Sequence, residues 1–75
     1  MGIFDKFLEQ LSATDIISMY KNGYFKDGDT LRGALNNINK KFAKDGVLLN
    51  NEDLDIYNNL LRKVNILGKH SLIFQ

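Results

Sequence analysis

Seventy-five residues, 44% of them apolar and 25% charged, make one small globular domain whose core must be modest. The chain has no Cys, which removes disulfides, thiolate nucleophiles and thiolate metal ligands. Its net charge of +1 argues against a dedicated polybasic nucleic-acid binder and equally against an acidic mimic of DNA.

Residues 3–11 read as a first helix. Ile3, Phe4, Phe7, Leu8 and Leu11 share one face, and Asp5, Lys6, Glu9 and Gln10 the other. Asp5 and Lys6 interrupt the start too early for a secretory leader, and every apolar run is far shorter than a membrane span. Ser12 followed by Asp15 approximates a capping box, with Thr14 as a second candidate cap, so a second helix is expected over 14–22. It carries Ile16, Ile17, Met19 and Tyr20. Asn22-Gly23 ends it, since both residues tolerate the left-handed region. Tyr24 and Phe25 then flank a turn at Asp27-Gly28.

Residues 30–45 read as the third helix, capped by Asp29 or Thr30 and stopped by Gly46. Leu31, Leu35, Ile38 and Phe42 recur at steps of four, three and four, the spacing of one helical face, and Ala34 widens it. Asn36, Asn37, Lys40 and Lys44 occupy the opposite face. A fourth helix is expected over 51–67, capped by Asn50 or Asn51, with acids in its first turn and Gly68 as its stop. Its stripe is Leu54, Tyr57, Leu60, Leu61, Val64 and Leu67. The tail beyond it holds Leu72, Ile73 and Phe74, which must dock on this core or on a partner.

The expected architecture is therefore all-α: a single domain over 1–75 of four short helices with a docked apolar C-terminal tail. The third and fourth helices form the central antiparallel pair, because short connections place sequence neighbours side by side.

Two stretches carry a pattern. From Lys41 to Glu52 the letters resemble the twelve-residue calcium loop of the EF-hand family, with Asp45, Gly46, Leu48 and Glu52 at its fifth, sixth, eighth and closing places. Lys41 and Ala43 stand where that family has its first and third oxygen ligands. A cation thus replaces one ligand and a methyl group another, and no metal or cofactor is expected. Asp15 to Tyr24 looks like the first helix and turn of resolvase and transposase DNA-binding domains. That resemblance implies a groove-reading helix over 30–45, with Arg32, Asn36, Asn37, Lys40 and Lys44 facing DNA, Asn toward adenine edges and the cations toward phosphate.

Catalysis has no comparable pattern. His70 is the sole histidine, the serines lack a nucleophile context, and no Gly-rich phosphate loop is present. The expected function is that of a small non-enzymatic regulator or inhibitor binding another protein, or a second copy of itself, through Tyr24, Phe25, Leu72, Ile73 and Phe74. The alternative is a helix-turn-helix-like DNA-binding regulator. The Cys-free composition suits the cytoplasm. Abundant Asn, Lys and Ile suit an A/T-rich gene of a low-GC bacterium, its phages or a mobile element.

Overall fold

The computed structural model describes residues 3–73, with side chains described over 3–67. Four helices follow one another: α1 (Ile3–Glu9), α2 (Ala13–Lys21), α3 (Gly28–Asp45) and α4 (Asn51–Ile73). The all-α expectation holds. Among the described residues there is no strand, and no helix is long and apolar enough to cross a membrane.

Each boundary has a local cause. Ser12 caps α2, its hydroxyl accepting from the Asp15 amide at 3.1 Å. Gly23, at φ +82°, turns the chain away after α2. Asp27, not Asp29 or Thr30, caps α3. Its carboxylate accepts from the Thr30 amide at 2.8 Å, and the Thr30 hydroxyl donates back to the Asp27 carbonyl at 3.1 Å. Asp29 and Thr30 therefore lie inside the first turn, where an acid still favours the helix dipole. Gly46 ends α3 in the left-handed conformation at φ +61°, its amide donating to the Phe42 carbonyl. Asn50 caps α4, accepting from the Asp53 amide at 2.8 Å.

The expected stop at Gly68 is not one: α4 continues to Ile73. A glycine inside a helix costs about 1 kcal/mol relative to alanine and ends it only if the chain turns left-handed there. Leu72 and Ile73 thus have helical backbone rather than forming a separate tail. Their side chains, and all of Phe74, lie outside the described residues, so the docking expected of that segment does as well.

The hydrophobic stripe of α3 carries the fold. Leu31, Ala34, Leu35 and Ile38 are all buried, and α3 packs against each of the other helices. Gly28 approaches Leu67, Asn39 bonds Tyr57, and Phe42 meets Tyr57, so α3 and α4 run antiparallel as expected. Among the described residues, Leu60 is the fully buried side chain that α4 contributes. Ile16, Ile17 and Ala13 close the core from α2, and Leu8 from α1.

Helix α1 lies close along α3 because position 33 has no side chain. A Cβ built there would sit 3.2 Å from Phe4 Cε2 and 3.4 Å from Asp5 Oδ1. Nearer the other end of α1, Lys41 Nζ donates to the Glu9 carbonyl at 3.0 Å, satisfying an orphan acceptor of the last turn.

Candidate functional site

The residues that sequence pattern picked out fall into three groups. Tyr24 stands 68% exposed on the link between α2 and α3. Its neighbour Phe25 does not share that surface: at 5% exposure it belongs to the core, meeting Phe4 edge to face. Of the two adjacent rings on this link, one turns inward to bury its large apolar area and the other stays in solvent. Phe25 is therefore mainly a packing residue, with only an edge of its ring left accessible. The side chains of Leu72, Ile73 and Phe74 belong to the segment outside the described residues.

On α3, Arg32, Asn36, Lys40 and Lys44 are accessible to solvent. Asn37 is not. It is 3% exposed, and its amide nitrogen donates to the Gly33 carbonyl one turn back at 2.9 Å. A residue bonded to its own helix cannot reach a base edge, which removes Asn37 from the proposed DNA-reading set. Asn36 and Lys40 border an open depression of about 650 Å³ that also contains Asp5 of α1, a charge of the wrong sign for phosphate.

The stretch resembling a calcium loop has other employment. Glu52 Oε1 lies 2.8 Å from Lys21 Nζ, joining the first turn of α4 to the last turn of α2. The hydrogen bond between them, with Coulomb attraction second, holds the Glu52 carboxyl below its usual range and the Lys21 ammonium above its own. Both groups are exposed, so this pair adds little to stability. Among the described residues no cluster of three or more His, Cys, Asp or Glu could grip an ion.

The feature that no local pattern announced is a cleft of about 680 Å³ between α2, the α2–α3 link and α4. Its floor is apolar, formed by edges of Phe25, Leu31 and Ile56. Its walls are polar: Tyr20, Asn59, Asp55, and the ammonium groups of Lys21, Lys26 and Lys63. The Tyr20 hydroxyl donates to Asn59 Oδ1, and Lys63 Nζ sits 5.4 Å from the centre of the Tyr20 ring. These contacts fix one wall. Lys21 is neutralised by Glu52, whereas Lys26 and Lys63 have no carboxylate within ion-pair distance among the described residues. The contributing residues come from segments about 30–40 positions apart in the chain, so no spacing rule could have grouped them.

Compared with known families, curated proteins and solved structures, the chain finds no match.

Proposed function

We propose that this protein is a small non-enzymatic regulator or inhibitor of the cytoplasm that works by binding another protein. The observation that carries the reading is the open cleft between α2 and α4, with apolar floor, polar walls and exposed Tyr24 beside it. An apolar centre ringed by polar groups is the composition of a protein-binding patch, and tyrosine is among the residues most often enriched there. Large apolar side chains uncovered elsewhere, Ile3 and Phe7 on α1 and Leu54 and Ile66 on α4, give further surface for a partner or a second copy.

The test fills the cleft without touching the core. Asn59 is exposed on α4, and Asn59→Arg places a long side chain across the opening. Immobilised wild-type protein should retain a specific protein from an extract of its native host. Asn59→Arg should lose it, while Lys40→Glu with Lys44→Glu on α3 should keep it. Retention by all three proteins overturns the reading.

A second reading has one observation in its favour: Arg32, Asn36, Lys40 and Lys44 line an accessible face of α3. DNA binding through that face predicts affinity that falls steeply with salt, and a shallower slope for Lys40→Glu with Lys44→Glu. A salt-independent interaction unaffected by those changes removes it.

A further inference from the structure

We propose that the occupant of the α2–α4 cleft is an acidic segment of the partner protein, carrying one apolar side chain that seats on the floor. This rests on the protein-binding reading above and names the chemistry of the partner. Three features argue for it. First, Lys26 and Lys63 line the cleft with no carboxylate of this chain in ion-pair reach among the described residues, so two cations are left to be answered from outside. Second, the floor of Phe25, Leu31 and Ile56 offers apolar contact that a bare anion cannot use. Third, the walls hold the Asp55 carboxylate as an acceptor and the Asn59 side-chain nitrogen as a donor, Asn59 Oδ1 already taking the Tyr20 hydrogen, a set suited to the N–H and C=O groups of a peptide backbone.

The same groups disfavour a nucleic acid. A phosphate backbone presents closely spaced charges and needs a continuous track of cations. Here Asp55 interrupts the track and Glu52 has already claimed Lys21. A peptide can space its carboxylates to meet Lys26 and Lys63 and leave Asp55 opposite an amide. The long lysine side chains also cover apolar floor with their stems while keeping their charges in water, so the cleft stays soluble when empty.

The probe is a short capped peptide of glutamates around a central leucine, titrated into the full chain while backbone amide NMR shifts are followed. Saturable shifts should concentrate at Tyr20, Gly23, Lys26, Asn59 and Lys63. A peptide with glutamines in place of glutamates should bind about tenfold more weakly or worse, as should the double variant Lys26→Glu, Lys63→Glu against the acidic peptide. The variant Lys26→Gln, Lys63→Gln should fall between, and serves as the decisive comparison if the charge reversal disturbs folding. Equal binding of the glutamine peptide overturns the proposal. So do shifts spread evenly over Lys6, Lys40 and Lys44. Inorganic phosphate reproducing the same shifts at the same affinity would make the cleft a plain anion site. An oligothymidine that binds there more tightly than the peptide would make it a nucleic-acid site, and either result sinks the acidic-segment assignment. If the peptide fails while Asn59→Arg still abolishes capture of the native partner, this inference falls and the protein-binding reading stands.

Discussion

Phe4 and Phe25 meet edge to face, with ring centroids 5.7 Å apart and planes inclined at 81°. This pair ties α1 to the link between α2 and α3, and it separates Phe25 from exposed Tyr24 next to it. Aromatic contacts of this geometry add about 0.5–1.5 kcal/mol beyond the area they bury. Phe25→Ala should therefore destabilise the protein by about 3–5 kcal/mol, the usual cost of deleting a buried ring. Tyr24→Ala should leave stability within about 0.5 kcal/mol, as surface changes do. Chemical denaturation of both variants checks this. Equal losses would mean that the link presents its rings otherwise than described.

Leu60 and Ile38 are fully buried on the two central helices. Truncating either to alanine should cost about 2–5 kcal/mol through lost transfer energy and the cavity left behind. A domain of this length has about 4–11 kcal/mol in total, so either variant should be partly unfolded near body temperature. Leu54→Ala, by contrast, removes a side chain that is 43% exposed and should cost far less. Thermal melts followed by circular dichroism will rank the three.

The cap of α3 predicts a response to acid. The Thr30 amide donating to Asp27 holds the Asp27 carboxyl below its ordinary value of 3.8. The unfolded chain therefore takes up a proton more readily than the folded one. The resulting stability is fully present above that ordinary value and disappears as pH falls through the lowered one. The substitution Asp27→Asn keeps a capping oxygen but cannot titrate. The wild type should melt higher than Asp27→Asn at neutral pH, and the gap should close below about pH 4. A gap independent of pH would refute the assignment of the cap to Asp27.

Two glycines should behave oppositely for stated reasons. At Gly46 a Cβ meets nothing within 4 Å, but φ is +61°. Gly46→Ala should cost about 1–2 kcal/mol of left-handed strain, and Gly46→Asn less. At Gly33 the backbone is helical and alanine gains about 1 kcal/mol of propensity, offset by the Phe4 ring edge at 3.2 Å. Gly33→Ala should be close to neutral, whereas Gly33→Leu should displace α1 and cost about 1–3 kcal/mol or more. Melting temperatures of these variants decide it.

The fold was largely legible because its signals are local. The stripe Leu31, Leu35, Ile38 and Phe42, the stop at Gly46 and the cap at Ser12 depend on residues within a turn or two of each other. Errors arose where several local candidates compete or where tertiary contact decides. Asp27, Asp29 and Thr30 all offer a capping oxygen, and only the path of the α2–α3 link selects the first. Gly68 reads as a stop but is carried through by the helix around it. Asn37 and Phe25 reverse their expected exposure, one by folding back on its own turn and the other by meeting Phe4. The cleft was invisible, since Tyr20, Lys26 and Lys63 come together only once α2 lies across α4.

Helix α3 sits midway along the chain and touches all three of its fellows. Ordering it lays down the docking ground for α1, α2 and α4 at once, a topology in which little loop entropy is spent before contacts repay it. The chain also lacks proline and thus any X-Pro isomerisation to wait for. Refolding from denaturant should accordingly be a single exponential in the microsecond to millisecond range, and substitutions at Leu35 should slow it more than equally destabilising ones at Leu8.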